Sequence, residues 1–255
     1  MEKKLYEYFS NVQLPSFLTI YDLLILSLTE KDCIVSFNWD SLLIQAYNRV
    51  AKITWNRPKI LFLHGNVGAG VCKDCMTFGL IQNYCRKCGK PYNAVPLLYP
   101  VEQKDYNSDS FIRDQWSVAK YYISKAGKVT IFGYSAPSSD KEASEILKAA
   151  FSKHDGVHRL DAVEIIERPG FSANEISETW QYFFSLTNYH SDIVDSFYNS
   201  YLAQAPRRTL QYQQFIRGWW GQPKIHFSKQ DTFESVETLL KPLLVNEEQG
   251  DYSII

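Results

Sequence analysis

The chain has no excess of charge of either sign and no long apolar run. Its 255 residues include 27 Lys and Arg against 28 Asp and Glu, which gives a formal net charge of -1. Such a balance provides no global attraction to nucleic acid or to an anionic membrane, so we expect neither as a partner. The longest apolar run, around residues 23–28, is far too short to span a bilayer, and no signal-peptide pattern opens the sequence. These absences predict a cytoplasmic protein.

Glycine is also absent from the first part of the chain. None of the 12 glycines lies within residues 1–37. A turn that brings the backbone close to two phosphates needs glycine, because a side chain would keep the phosphates away. The sequence therefore excludes a glycine-rich phosphate turn ahead of residue 38.

Four of the five cysteines form two Cys-x-x-Cys pairs. Two residues between cysteines let both sulfurs reach one ion, and in a reducing compartment this spacing favours a metal over disulfides. The sequence predicts a closed structural zinc site, and the alternative is a scattered set of buried thiols. The predicted ligands are Cys72, Cys75, Cys85 and Cys88. Cys33, inside an apolar run, is predicted to be a buried thiol.

Strand and helix patterns alternate along the chain. Short apolar runs predict strands at 32–37, 59–63, 128–132 and 161–166. Helical spacing of apolar residues predicts helices at 21–28, 41–52, 110–125, 140–151, 175–186 and 230–244. This alternation predicts an α/β fold, a Rossmann-like parallel sheet flanked by helices.

Three of the predicted strands end in short polar groups. Asn38-Trp39-Asp40 follows the first strand, His64-Gly65 the second and Gly133-Tyr134-Ser135 the third. When each residue is considered alone, Asn38 and Asp40 are explained by helix capping, and His64 is explained by a hydrogen bond at a strand end. Open α/β sheets bind ligands at the carboxyl ends of their strands. The three groups together therefore predict a pocket at one sheet edge.

The motifs FNWD, LHG, the two cysteine pairs and FGYSAPSSD, in this order, resemble the landmarks of the sirtuin-like NAD-binding family. The resemblance covers about residues 30–145. The strand end with Asp140 before the next helix is more similar to divergent bacterial sirtuin-like proteins, several of which are NAD hydrolases in antiphage defence. The resemblance implies NAD or ADP-ribose as the ligand and NAD glycohydrolase chemistry. NAD-dependent protein deacylation is the lesser alternative.

The resemblance also implies a role for each matching residue. Asn38 would hold the nicotinamide ribose, Asp40 would support that geometry, and His64 would be the general base, a task suited to imidazole. Gly133 and Ser135 would let backbone and hydroxyl approach the phosphate or ribose. The implied cofactor-binding residues are Asn38, Asp40, Gly65, Gly133, Ser135 and Asp140.

One landmark of the family has no counterpart. A Gly-Ala-Gly loop should precede Asn38, where the chain has no glycine. The triplet Gly68-Ala69-Gly70 follows His64 and runs into the first cysteine pair, so its order does not match. We expect it to be a flexible lead into Cys72.

Other functions and the domain division follow from the remaining segments. Gly133-Tyr134-Ser135-Ala136-Pro137 could be a nucleophile elbow, but Pro137 replaces its second glycine, which disfavours an α/β-hydrolase. A non-catalytic zinc-stabilised module for nucleotide sensing or interaction is the main alternative, with a protein partner or a second copy of the chain. For Arg207-Arg208 we expect a solvated face. The predicted division is one α/β domain over 1–255, an inserted zinc module at 65–91 and an aromatic-rich helical extension at 186–255, with a frayed end at 246–255.

Overall fold

The computed structural model describes residues 2–98, 109–134, 144–145, 147–149, 160–167, 170, 172–180, 190–209 and 225–250. The helices are α1 Glu2–Ser10, α2 Ile20–Leu26, α3 Leu42–Arg49, α4 Ser110–Lys125, α5 Ala173–Trp180, α6 Tyr201–Gln204 and α7 Phe233–Gln249. The strands are β1 Cys33–Ser36, β2 Lys59–Phe62, β3 Ala69–Cys72, β4 Thr77–Leu80, β5 Asn93–Ala94, β6 Lys128–Phe132, β7 Ala162–Ile166 and β8 His190–Val194. Single 3-10 turns cover Val50–Lys52 and Phe197–Asn199.

The parallel strands confirm the predicted α/β class. β1 pairs with β2 in parallel, and β7 lies between β6 and β8, again in parallel. In the described part of the chain these strands form two hydrogen-bonded groups, β1-β2 and β6-β7-β8, rather than the one sheet that we predicted. Helix α3 connects β1 to β2, and α5 lies between β7 and β8 in the chain, as crossover connections of parallel strands require.

The cysteine module is a separate antiparallel sheet in which β3 lies between β4 and β5. The prediction of a flexible lead over Gly68-Ala69-Gly70 was wrong, because Ala69 and Gly70 belong to the fully buried strand β3. A Cβ at Gly70 would lie 2.6 Å from the Cβ of Tyr92. The absence of a side chain at Gly70 therefore lets β3 pack closely against Tyr92.

Helix α4 covers one edge of β2. The backbone N–H of Phe62 donates to the side-chain oxygen of Gln115, at 3.0 Å, in a buried position. Helices α2 and α3 are joined through Asp22, a fully buried carboxylate whose oxygen accepts from Arg49 Nε at 2.5 Å. These helices fix β1 and β2, whose carboxyl ends carry the candidate residues.

The C-terminal region is less helical at its start and more helical at its end than we predicted. β8 lies inside the segment predicted as a helical extension and adds a strand beside β7. The predicted fraying was wrong for residues 246–249, which continue α7. The helix ends with Gly250 in the left-handed conformation at φ 67°. Residues 251–255 lie outside the described residues.

Arg207 is buried, so the prediction of a solvated face was wrong for this residue. Its guanidinium donates to both carboxylate oxygens of Glu247, at 2.6 and 2.5 Å, and to backbone carbonyls of Leu26, Leu28 and Asn56. The side chain of Arg207 has no exposed surface, and that of Glu247 is 11% exposed. Within the described ranges, no helix has the length and apolar character needed to cross a membrane.

Candidate functional site

The carboxyl ends of β1 and β2 lie side by side. Ser36 is paired with Phe62 at the end of the ladder, and the N–H of Leu63 donates to the carbonyl of Ser36 at 2.9 Å. The loop of Asn38-Trp39-Asp40 and the turn of His64-Gly65 leave the ladder from neighbouring positions. The structure thus places two of the three predicted polar groups at one edge.

The polar side chains of the first loop differ in their surroundings. Asn38 is exposed and Asp40 is half-buried. A carboxylate oxygen of Asp40 accepts from the backbone N–H of Leu42 at 3.0 Å, which satisfies a free donor at the start of α3. Asp40 therefore binds a backbone donor at the start of α3 from the position before the N-cap residue, Ser41.

His64 is held at the end of β2 by contacts on several sides. It is 8% exposed, and its ring meets Phe37 edge-on with 4.9 Å between the ring centroids. Its backbone carbonyl accepts from the N–H of Leu98 at 2.9 Å. Gly65 has φ 79°, and a Cβ there would lie 1.9 Å from the carbonyl oxygen of Pro96. The chain that returns from the cysteine module thus packs directly on the His64-Gly65 turn.

Aromatic contacts connect the end of β6 to this edge. Tyr134, after β6, stacks on Phe37 with 4.3 Å between centroids and an interplanar angle of 4°. Trp116 of α4 lies 5.9 Å from Phe37. Gly133 has φ 63° and donates its N–H to Ile166. The third strand end therefore reaches the site through ring packing, whereas the candidates Ser135 and Asp140 lie outside the described residues.

Asn66 is a site residue that sequence reasoning missed. It is fully buried, and its side-chain N–H groups donate to the carbonyls of Asp40 and of Asn38, the latter at 3.4 Å. Its side-chain oxygen accepts from the N–H of Gly68 at 2.9 Å. A polar residue inside the apolar segment after His64-Gly65 was the signal in the sequence that could have indicated it.

Helix α1 also contacts these loops. The hydroxyl of Tyr6 donates to the carbonyl of Val67 at 3.1 Å, and Phe9 meets Trp39 edge-on with 5.5 Å between centroids. No motif in the sequence indicated this contact. In the described residues, α1 and α2 are the elements that precede β1.

The four paired cysteines converge on one point. The sulfur atoms of Cys72, Cys75, Cys85 and Cys88 all lie within 4.8 Å of one another. A tetrahedral zinc ion with bonds of about 2.3 Å needs sulfurs roughly 3.8 Å apart. Met76 and Gly89, which each follow the second cysteine of a pair, have φ 48° and 72° and turn the backbone around this point. The four-cysteine cluster can hold a zinc ion.

The ionisation of these thiols also suits a cation. The hydroxyl of Thr77 beside its sulfur, 3.2 Å away, lowers the pKa of Cys85 to about 6. The side-chain contact with Cys88, together with burial, raises the pKa of Cys75 to about 12. A thiolate at Cys85 thus makes ionisation of the neighbouring thiols less favourable. A divalent cation would relieve the repulsion between the thiolates.

No protein-family model matches the chain, and no curated protein matches it. Solved structures similar to it include a Sir2 homologue in complex with NAD, at 15% identity and a TM-score of 0.38, covering 76% of this chain and 67% of that one. Another is a variant Sir2 homologue with ADP-ribose, at 15% identity and a TM-score of 0.37, with coverages of 76% and 69%. A third is a Sir2 protein with an inhibitor, 2'-O-acetyl-ADP-ribose and a deacetylated p53 peptide, at 13% identity and a TM-score of 0.38, with coverages of 76% and 74%. A likeness at this level carries no conclusion about activity.

Proposed function

We propose that this chain is a sirtuin-like protein that binds NAD or ADP-ribose and hydrolyses the nicotinamide–ribose bond of NAD. The observation that supports this most is the juxtaposition of Asn38, Asp40 and His64 at the carboxyl ends of two adjacent parallel strands. These are the residues to which the motif resemblance assigns the chemistry. Their position is also the edge where open α/β sheets bind nucleotides.

In the proposed reaction the bond between nicotinamide and the ribose carbon breaks, and nicotinamide leaves with the bonding electrons. Water forms the new bond to that carbon, which gives ADP-ribose. Asn38 would hold the ribose and Asp40 would keep the loop in place at the start of α3. His64 would accept the proton from water or from a ribose hydroxyl. Gly65, Gly133, Ser135 and Asp140 are proposed contacts to the cofactor.

We also propose that zinc occupies the four-cysteine cluster in a structural role. Four thiolates close the coordination sphere of the ion, so the ion would bind no water and take no part in hydrolysis. The module would act on the site through packing, since its return chain contacts the His64-Gly65 turn at Pro96 and Leu98. The division into one domain with this module inserted, and the action of the chain in the cytoplasm in a bacterial defence role, are parts of the same proposal.

A non-catalytic nucleotide-sensing or interaction module is the second candidate. It is favoured by the absence of glycine from residues 1–37, together with the two helices that precede β1. Without a glycine-rich turn there, another segment or a protein partner would have to contact the pyrophosphate. NAD-dependent deacylation is a third outcome that the same assay detects.

The test is nicotinamide release from NAD by the purified, zinc-loaded chain, alone and with an acetyl-lysine peptide. Removal of the general base in His64→Ala should lower the rate of release by about 100-fold or more. Asn38→Ala should also slow release strongly, because the ribose would no longer be held. His226→Ala and Asn199→Ala are matched controls at exposed positions and should keep it. Release only with peptide would indicate a deacylase, and binding without release would indicate the sensing module. The proposal would be refuted if the chain neither released nicotinamide nor bound NAD or ADP-ribose.

A further inference from the structure

We propose that Asn66 is a positioning residue that holds the Asn38–Asp40 loop against the His64-Gly65 turn. The inference rests on the proposed function, because that function assigns the chemistry to these two segments. Asn66 itself would act through them. Asn66 directly follows Gly65 in the turn, and its side chain bridges to the other loop.

The side chain of Asn66 uses both its donor and its acceptor groups. Its amide donates to the carbonyls of Asn38 and Asp40, on either side of Trp39, and its oxygen accepts from Gly68 N–H. The residue has no exposed surface. A buried amide that is satisfied in this way specifies one arrangement of the groups around it, because a shift of either loop would leave polar atoms unpaired.

The need for a side-chain bridge follows from Gly65. The parallel ladder continues to the bond from Leu63 N–H to the Ser36 carbonyl, at 2.9 Å. The left-handed conformation of Gly65, at φ 79°, then turns the backbone out of the ladder. Backbone pairing between the two segments resumes only at Val67, whose N–H donates to the Trp39 carbonyl at 2.9 Å. Asn66 connects the two loops across this interval.

Amide hydrogen exchange tests the inference without any assay of activity. In Asn66→Ala we expect the Val67 amide to exchange at least about tenfold faster, since its acceptor is on the released loop. The Leu63 amide, four residues earlier, donates to the Ser36 carbonyl at the end of the same ladder. Its exchange rate should be unchanged, so it is an internal control. Should Asn66→Ala fail to fold, Asn66→Ser keeps one donor and should give a smaller acceleration at Val67. Equal acceleration of both amides, or none at Val67, would overturn the inference.

A double-mutant cycle tests the link to catalysis. If Asn66 acts through Asn38, then Asn66→Ala should lower the rate constant for nicotinamide release by about tenfold or more, and should add little in an Asn38→Ala background. A merely structural role would give independent, additive losses, and that result would also overturn the inference. If the unmodified chain neither binds nor cleaves NAD, the proposed function fails while the exchange comparison still decides the role of Asn66.

Discussion

At the scale of single residues, Gly65 shows most directly how the backbone constrains the site. Its φ of 79° disfavours any side chain, and the carbonyl oxygen of Pro96 occupies the space where a Cβ would lie. Gly89 has nearly the same backbone conformation, φ 72°, but nothing lies within 4 Å of the Cβ position. A comparison of alanine substitutions at the two glycines would therefore separate the free-energy cost of backbone strain from that of a steric clash.

Gly65→Ala should destabilise the chain much more than Gly89→Ala. The left-handed backbone alone costs about 1 kcal/mol for alanine, and this should be the whole effect at Gly89. At Gly65 the return chain at Pro96 must also move, so we expect a loss of more than about 2 kcal/mol. Urea unfolding of both zinc-loaded variants would measure the difference. Equal losses would show that the contact with Pro96 has no energetic weight.

Local signals in the sequence predicted the elements but not the partners of buried polar residues. The strand and helix patterns around β1, β2, β6 and α4 are visible because apolar residues repeat with the period of the element. Arg207 was predicted to be solvated because an arginine pair carries no local sign of burial. Its partners Glu247, Asn56 and Leu26 are distant in sequence. The partners of Asn66, the carbonyls of Asn38 and Asp40, are likewise distant in sequence.

At the scale of elements, the cysteine module packs directly against the candidate site. β3 begins three residues after Asn66, and the chain that leaves β5 returns to His64 through Leu98. The spacing of the cysteines predicted the cluster, since two Cys-x-x-Cys pairs leave few alternatives. The buried strand β3 and the return contact could not be predicted, because glycines give no periodic signal and the contact depends on tertiary packing.

Thiol reactivity should distinguish the module from the remaining cysteine. In zinc-loaded protein at about pH 8 we expect no rapid reaction with a disulfide reagent, since the metal holds the four paired thiolates. A chelator should release one zinc per chain and make the paired thiols reactive, with Cys85 reacting first because its pKa is lowered to about 6. Cys33 should stay slow until the chain unfolds, because burial raises its pKa to about 12 and leaves little thiolate.

Cys33→Ala is the control for this assignment and should leave the four chelator-dependent thiols unchanged. The zinc proposal would fail if the untreated protein, prepared without chelator, contained far less than one zinc per chain. It would also fail if the paired cysteines reacted at the same rate before and after chelation.

At the scale of the whole molecule, the C-terminal helix is tied to the first third of the chain by a buried polar network. Glu247 of α7 accepts from Arg207 and, at 2.8 Å, from the side-chain amide of Asn56. Arg207 in turn donates to carbonyls at the end of α2. Four segments meet here, around residues 26–28, 56, 207 and 247. Apolar residues of α7, Val236, Leu240 and Leu243, complete the contact with the core.

Loss of the negative charge at residue 247 should therefore destabilise the folded chain far more than the same loss at residue 248. Glu247→Gln leaves the buried guanidinium of Arg207 without a compensating charge, and breaking such a pair costs about 3 kcal/mol or more. Glu248→Gln makes the same chemical change on an exposed side chain one position along α7, where changes stay within about 0.5 kcal/mol. The midpoints of urea unfolding for the two variants measure this difference. Similar midpoints would mean that α7 is held by its apolar face alone, and that the Arg207 network adds specificity of docking without adding stability.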